Sequence, residues 1–325
     1  MKRTLLPLIL LLAANLQGCQ PVPDPLRIVS SPWPGYEPIY MARDLGYLNE
    51  KQVILHELPS SNITLESFSN GSADVATLTL DETLTLLSQG KKVRILAVLD
   101  VSNGADAVMA KPHVKRLADL KGKRIAIINI PLGVFLLSRT LDAAGLKAKD
   151  VSVILLPEDK HEKAYLQGKI DAAITFEPFK TRLSQAGAHK LFDSSDIPNE
   201  IFDLLVVSEE VYLTRRKELC NITQQWFRTL DYVQANMLDS RQRMSKRLGM
   251  DPGLYQGMMD GLLVPGREEN LRLLSGTNPS ILKPAQNLTS AMLVAGLIPA
   301  ALDPSEVLAP EFLSSCLNTR NSPDL

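Results

Sequence analysis

Short apolar segments alternate with helical segments along most of the chain, and this alternation restricts the fold more than any other feature. Between residues 26 and 203, runs rich in Val, Ile and Leu predict strands. The segments between them predict helices, several of which end at a glycine such as Gly46, Gly145 or Gly168. Strands that alternate with helices form mostly parallel sheets with helices on both faces. The sequence therefore predicts an α/β fold.

The alternation is divided into two units. The first covers residues 26–108, and the rhythm restarts after Lys111 and continues to about residue 203. From Glu209 onward the pattern is mostly helical. A length of 325 residues also suggests two domains. We therefore expect two α/β units in series, followed by a helical region that must pack on one of them.

The composition excludes several classes of protein. With 45% apolar and 22% charged residues, the chain is ordinary for a globular protein and too apolar to be disordered. A net charge of −1 gives no general attraction to nucleic acid. Apolar runs inside the chain are too short to predict a membrane-spanning helix.

The first residues read as an export signal rather than as structure. Lys2 and Arg3 precede an apolar run at residues 4–12, which is typical of a secretory signal. The run leads to Leu16-Gln17-Gly18-Cys19, which resembles the bacterial lipobox, in which the cysteine receives a lipid. We expect a lipoprotein signal peptide at residues 1–18, a lipid on Cys19, a Pro-rich tether at residues 19–25, and a chain held at the membrane and facing the periplasm or cell exterior. The alternative is an ordinary signal with a chance cysteine.

Two other cysteines, Cys220 and Cys316, lie far apart in the sequence. Outside the cytoplasm a disulfide between them is permitted. Two buried thiols that behave as small apolar groups are the alternative, and the sequence does not decide between them.

Ligands of parallel α/β proteins bind at the carboxyl ends of the strands. The first strand is followed by Trp33, Gly35 and Tyr36 in a loop stiffened by two prolines, where a Trp suits stacking on a ligand or closure of the local core. The later strand ends contribute polar, small or aromatic residues that could bind a ligand or serve as caps and turns: Thr79, Asp81, Ser102, Asn103, Leu132, Gly133, Thr175, Phe176 and Glu177.

Catalytic and cofactor motifs are not found. Neither the dinucleotide-binding nor the phosphate-binding glycine pattern occurs, and no serine lies in a nucleophile-elbow pattern. The histidines are dispersed without metal-ligand spacing. We expect no catalytic residues, no cofactor and no metal.

Several segments, in order, resemble a family of transport proteins. They are residues 33–38 (WPGYEP), 41–48 (MARDLGYL), 71–76 (GSADVA), 117–126 (LADLKGKRIA) and 168–173 (GKIDAA) followed by Glu177-Pro178. Together they are similar to the thiamine-precursor, sulfonate, taurine and nitrate binding proteins of ABC importers. The resemblance implies a two-lobed type II periplasmic binding protein, with residues 26–108 and 206–325 in lobe 1, including the packed helical region, and residues 109–205 in lobe 2. It also implies binding rather than catalysis, with an ABC permease and its ATPase as partners.

The same resemblance puts ligand contacts in the five loops that carry the candidate residues. These loops contain no Arg or Lys, which disfavours a sulfonate or nitrate, although backbone N–H groups can hold an anion. Asp81 and Glu177 beside Trp33, Tyr36 and Phe176 suit an amine or a pyrimidine-like ring. The alternatives are a sensing module for a separate membrane partner and a precursor-biosynthesis enzyme of the same fold. The enzyme carries a cysteine-rich motif that this sequence does not match.

Overall fold

The computed structural model describes residues 23–318, and within this range the strands form two sheets. The first sheet contains β1 (Leu26–Ser30), β2 (Val53–Glu57), β3 (Val75–Thr79), β4 (Val93–Ser102), β10 (Phe202–Ser208) and β11 (Leu262–Leu263). Their spatial order is β11-β4-β10-β3-β1-β2. Strand β1 is parallel to its neighbours β2 and β3, whereas β10 is antiparallel to β3 and β4.

The second sheet contains β5 (Asp106–Ala110), β6 (Arg124–Ile127), β7 (Ser152–Leu155), β8 (Ala172–Phe176) and β9 (His189–Asp193). Their spatial order is β7-β6-β8-β5-β9. Strand β6 is parallel to β7 and β8, and β5 is antiparallel to β8 and β9. The α/β prediction is confirmed, but both sheets are mixed rather than mostly parallel.

The chain passes between the sheets at residues 103–105 and again at 194–201. The boundaries expected at 108 and 206 therefore lie inside β5 and β10. The reason is that no α-helix separates β4 from β5 or β9 from β10, so the sequence does not mark where the chain passes from one sheet to the other. We call the first sheet with its helices the first lobe and the second sheet with its helices the second lobe.

Helices cover both sheets. Those between the strands are α1 (Glu37–Asp44), α2 (Ser61–Ser69), α3 (Leu80–Ser88), α4 (Pro131–Ala144), α5 (His161–Leu166) and α6 (Phe179–Gln185). Helix α4 illustrates the local signals, since Pro131 stands in its first turn and Gly145 ends it with a φ of 66°.

The region after β10 is helical, as expected. It contains α7 (Glu209–Thr214), α8 (Arg216–Ala235), α9 (Met237–Arg247), α10 (Pro252–Met259), α11 (Arg267–Leu274), α12 (Leu282–Val294) and α13 (Phe312–Asn318). Helices α8 and α9 pack on α1, α12 packs on α3, and α11 packs on β4. Because α8 buries Leu219, Ile222 and Trp226 on one face, this region completes the core of the first lobe.

Cys220 and Cys316 are joined by a disulfide that links α8 to α13, with their Cα atoms 5.2 Å apart. Of the two alternatives left open by the sequence, the structure has the bridge. The expected signal peptide and Cys19 lie outside the described residues. Between residues 23 and 318, no helix is both long enough and apolar enough to cross a bilayer.

Candidate ligand-binding cleft

A narrow cleft lies between the two lobes, where the carboxyl ends of β1, β3 and β8 meet. Its empty space, counted out to the opening and including open solvent, is about 380 Å³. Both lobes contribute to the walls, which consist of Ser31, Trp33, Tyr36, Ser61, Thr64, Thr77, Thr79, Glu82, Asp106, Ile130, Leu132, Phe176 and Asp203.

Aromatic rings from both lobes meet in this cleft. Trp33 follows β1 in the first lobe, and Phe176 is the last residue of β8 in the second. Their ring centroids are 5.7 Å apart with the planes at 82°, an edge-to-face contact. Tyr36 lies on the other side of Trp33, with the centroids 6.3 Å apart. These rings give the cleft an apolar wall that only the approach of the two lobes completes.

The charged side chains that line the described part of the cleft are all acidic: Glu82, Asp106 and Asp203. Each is at most 3% exposed. Glu82 Oε1 and Asp106 Oδ2 are buried and have no hydrogen-bond partner within the described residues. The cleft therefore presents acceptor oxygens that the described part of the protein does not satisfy, which is unusual in a native interior.

Asp100 and Asp203 form the floor of this acidic region. They lie opposite each other on the antiparallel strands β4 and β10. Trp33 Nε1 donates to Asp100 Oδ2 at 3.0 Å, and the Tyr36 hydroxyl donates to Asp203 Oδ1. Burial raises the pKa of Asp100 to about 7. Burial, together with the charge of Asp100, raises the pKa of Asp203 well above its usual range.

Glu82 and Asp106 approach the cleft from two other elements. Glu82, in the first turn of α3, accepts a hydrogen bond from the backbone N–H of Thr79 at 2.9 Å. Burial and the neighbouring Asp81 raise the pKa of Glu82 to about 8. Burial raises the pKa of Asp106, at the start of β5, to about 7. Burial therefore favours the protonated form of both carboxyl groups.

Glycine is required at two positions next to the cleft. A Cβ atom on Gly35 would lie 1.9 Å from Asp100 Oδ2, and one on Gly133 would lie 2.3 Å from the carbonyl oxygen of Ile128. Gly35 thus allows the Asp100 carboxyl group to sit against the loop that carries Trp33. Gly133 allows the first turn of α4 to pack against the segment before it.

The structure brings together part of the residue set expected from the sequence. Trp33, Tyr36, Thr79, Leu132 and Phe176 line the cleft, while Gly35 and Gly133 permit its close packing. The remaining candidates are not among its walls: Asp81, Ser102, Asn103, Thr175 and Glu177.

Glu177 serves the start of α6 rather than the cleft. Its carboxylate accepts from the backbone N–H of Thr181 at 3.1 Å and lies 3.1 Å from Lys180 Nζ. Asp81 is buried behind the lining residues, and its neighbour Glu82 faces the cleft instead. The acidic residues among the described lining residues are thus Glu82, Asp106 and Asp203 rather than the expected Asp81 and Glu177.

Ser102 and Asn103 lie where the chain passes between the lobes. The Ser102 hydroxyl is 2.7 Å from the hydroxyl of Ser194 on the returning segment, and the backbone N–H of Asn103 donates to the carbonyl oxygen of Gly261. Ser102 therefore links β4 to the returning segment, and Asn103 links the first connection to the residue before β11. Thr175 is buried in β8.

Sequence reasoning missed several lining residues. The acidic ones are Glu82, Asp106 and Asp203, and the others are Ser31, Ser61, Thr64, Thr77 and Ile130. One signal was available: Asp106 and Asp203 interrupt otherwise apolar segments that form strands. An acidic residue in such a run needs a partner or a function.

No cluster of three or more His, Cys, Asp or Glu with metal-binding geometry occurs in the described part of the chain. The unpartnered acceptor oxygens of the cleft, on Glu82 and Asp106, suit an organic ligand that carries N–H groups.

Comparison with known proteins identifies relatives of this chain. A putative aliphatic sulfonates-binding protein of Escherichia coli K12 is 26% identical over 151 residues, which are 46% of this chain and 47% of that protein. The aligned segment thus spans about half the length of that relative.

Solved structures share the fold over most of its length. The alkanesulfonate-binding protein of Xanthomonas axonopodis pv. citri, bound to MOPS, superposes with a TM-score of 0.74 at 16% identity and covers 89% of this chain and 99% of that one. A desulfurization enzyme superposes with a TM-score of 0.66 at 17% identity and covers 91% and 99%. The architecture is therefore the two-lobed fold of the sulfonate-binding proteins.

The model of the family described as NMT1/THI5-like matches residues 33–234, which is more than half of the chain. This range contains all the described cleft-lining residues except Ser31. The protein belongs to the NMT1/THI5-like family.

Proposed function

We propose that this protein is an exported solute-binding protein that closes its two lobes around a small, positively charged molecule and delivers it to an ABC importer. The observation that carries the proposal is the cleft itself, because both lobes line it and its described charged walls are acidic with unpartnered oxygens. The binding roles in the names of the relatives support the same class of function.

The charge of the cleft argues for a cation. A sulfonate or nitrate would meet Glu82, Asp106 and Asp203 without a basic residue among the described lining residues. Lys180 belongs to the hinge side, where its Nζ donates to the carbonyl oxygen of Gly104 at 2.9 Å. An amine, amidine or amino-substituted ring would instead donate to the unpartnered acceptors.

The aromatic walls argue for a flat ligand. Trp33 and Phe176 contact each other edge to face when the lobes are close. With the lobes apart, a flat ring would stack on either of them, and the π-system would stabilise its positive charge. We therefore favour a heteroaromatic or amidine-like cation over a flexible aliphatic amine.

Hinge closure would complete the site. The hinge consists of residues 103–105 and 194–201, with lobe 1 formed mainly by residues 26–102 and those after 202, and lobe 2 by residues 106–193. These lobe boundaries differ from the ones expected from the sequence, at residues 108 and 206. In this conformation the lobes are close enough for Trp33 of lobe 1 to contact Phe176 of lobe 2.

We further propose that Cys19 is lipidated after removal of residues 1–18 and that residues 19–25 tether the protein to the membrane. The support is the lipobox at the end of the apolar run. A Cys19→Ser variant should leave the membrane fraction, and continued fractionation with membranes would refute the anchor.

We propose binding rather than catalysis. The described lining residues include no Cys, His or Lys. A desulfurization enzyme has the same fold, so the fold alone does not decide. Recovery of the bound molecule unchanged after long incubation would support binding, and a product would contradict it.

A ligand screen tests the proposal. Residues 20–325 are exposed to amines, pyrimidines, amino acids, sulfonates and nitrate, and the melting temperature is measured. A ligand at about 100 times its Kd stabilises the folded state by about 2.7 kcal/mol, which is readily detected. We expect cations to raise the melting temperature of the wild type, the exposed-site control Asp142→Asn to respond equally, and Asp106→Asn to respond weakly.

A further inference from the structure

Asp100 and Asp203 are direct cross-strand partners, and this pairing requires an explanation. They occupy opposite positions of the β4–β10 ladder and are 0% and 3% exposed. Like charges directly opposite each other in a sheet repel. Two ionised carboxylates at these positions would be unstable without a cation between them.

The described surroundings supply hydrogen-bond donors but little positive charge. Trp33 Nε1 donates to Asp100 and the Tyr36 hydroxyl donates to Asp203, while Asp100 Oδ1 has no partner among the described residues. The titratable groups that act on the pair from other elements are Tyr36 before α1, Asp106 on β5 and Tyr255 on α10. Two further acids on α3 act on these neighbours: Asp81 on Asp106 and Glu82 on Tyr36.

Lys180 on α6 is the basic residue that acts on this region, and it lowers the pKa of Asp106. It is already engaged by the Glu177 carboxylate and the Gly104 carbonyl oxygen. It therefore cannot neutralise the pair as well.

Two buried carboxyl groups that lie next to each other without a neutralising cation share a proton and titrate as a unit. A proton on one carboxyl group allows it to donate to the other, which turns a repulsion into a hydrogen bond. The raised pKa values of Asp100 and Asp203 agree with this arrangement.

We propose that the Asp100–Asp203 pair holds one proton while the cleft is empty and releases it to the solvent when the cationic group of a ligand binds. This inference rests on the proposed function. One positive charge replaces another, so the net charge of the site is unchanged and no covalent bond other than O–H is broken. The N–H groups of the ligand take over the stabilising role of the proton.

The exchange fixes the sign of the pH dependence. Below the pKa of the pair a ligand cation must displace the proton, so its affinity rises by up to about tenfold per pH unit and then levels off. An anion would show the opposite trend, because it would bind best to the protonated pair. The sign therefore reports the charge of the ligand.

Infrared spectroscopy of the full chain without ligand tests the stored proton. The wild type should show the absorption of a protonated buried carboxyl group at pH 7, lost at high pH. Asp100→Asn and Asp203→Asn should each weaken it at pH 7, and the exposed control Asp142→Asn should keep it. An absent absorption, or one unchanged in both pair variants, would overturn the proposal.

Calorimetry with benzamidinium, a flat cation that stays charged over this range, tests the exchange. Titrations in two buffers of different ionisation enthalpy should reveal about one proton released per cation bound by the wild type, and a markedly smaller release from Asp203→Asn. Binding without release would overturn the exchange and leave the proposed function intact. Failure to bind benzamidinium at any pH would overturn both the exchange and the cationic ligand class, while the infrared result would stand.

Discussion

Glu158 of the second lobe is hydrogen-bonded to Ser61 of the first. One oxygen of its carboxylate accepts from the backbone N–H of Ser61 at 2.9 Å and lies 3.3 Å from the Ser61 hydroxyl. Glu158 is 1% exposed, and Ser61 is the first residue of α2 and lines the cleft. The contact can exist only while the lobes are close, so it favours the closed conformation.

Removal of this contact should open the protein. We expect Glu158→Ala to increase the radius of gyration measured by small-angle X-ray scattering and to speed ligand release. Glu158→Gln, which retains an acceptor oxygen, should have a smaller effect. The exposed neighbour Asp159 provides the control, since Asp159→Ala should scatter like the wild type. Equal scattering from Glu158→Ala and the wild type would show that the contact does not hold the lobes.

Trp33 has two separable roles, an aromatic wall and a donor to Asp100. Trp33→Phe keeps a ring but removes the donor, so it should weaken binding about tenfold, because a lost hydrogen bond to a charged group costs about 1.5 kcal/mol or more. Calorimetry and denaturation would measure affinity and stability in parallel.

Trp226 gives a matched control for this change. It is 1% exposed in α8 and is not among the cleft-lining residues. Trp226→Phe should lower stability and leave affinity unchanged. If the two variants behave alike, Trp33 is a core residue and not a ligand contact.

Gly35 lies against the Asp100 carboxyl group. Gly35→Ala would put a methyl group 1.9 Å from Asp100 Oδ2, which must displace either that carboxyl group or Trp33. We expect the affinity for the ligand to fall by tenfold or more, because a binding group that is moved out of position contributes much less.

Gly257, inside α10, offers the corresponding neutral change. Nothing lies within 4 Å of a Cβ atom there. Gly257→Ala should leave affinity unchanged and stabilise the helix by about 0.5–1 kcal/mol. A tolerated Gly35→Ala with unchanged affinity would argue against the proposed position of Asp100.

Arg247 neutralises a buried acid outside the cleft. It pairs with Glu37, which is 0% exposed, and with Glu57, and its guanidinium lies 3.8 Å from the centre of the Tyr40 ring. Burial raises the pKa of Glu37 to about 7 even with Arg247 beside it. Arg247→Met should therefore destabilise the protein by about 3–5 kcal/mol in a denaturation curve, because the buried acid loses its partner.

The loss of stability in Arg247→Met should depend on pH. Without Arg247 the pKa of Glu37 rises further, so the variant is penalised most above neutral pH and recovers stability as the pH falls and Glu37 is protonated. Arg243→Met, which breaks an exposed pair with Asp239, should leave the denaturation midpoint nearly unchanged. Equal midpoints for both variants would contradict the role of Arg247.

The sequence predicted the elements that local chemistry determines. Helices such as α6 (Phe179–Gln185) and the strands between them follow from apolar periodicity and terminal glycines. Strands β5 and β9 were missed, because their pairing depends on neighbours far away in the chain and no local signal separates them from loops.

The site was predicted in character but not in every residue. Trp33 and Phe176 were predicted to line the cleft because they are aromatic residues that lie at or just after the carboxyl ends of strands. Glu82 was not chosen over Asp81 because the rotation of α3 about its axis decides which of two adjacent acids faces the cleft. Asp203 was missed because its partner Asp100 is a neighbour only after the chain returns to the first sheet.

The proposed selectivity of the cleft for a positive charge is tested most directly by two probes of similar shape and opposite charge. Benzamidinium and benzenesulfonate are each titrated into the wild type by calorimetry at pH 6, 7 and 8. We expect saturable binding of benzamidinium that strengthens with rising pH, and no binding of benzenesulfonate. Tight binding of benzenesulfonate that weakens with rising pH, with no response to benzamidinium, would contradict this selectivity.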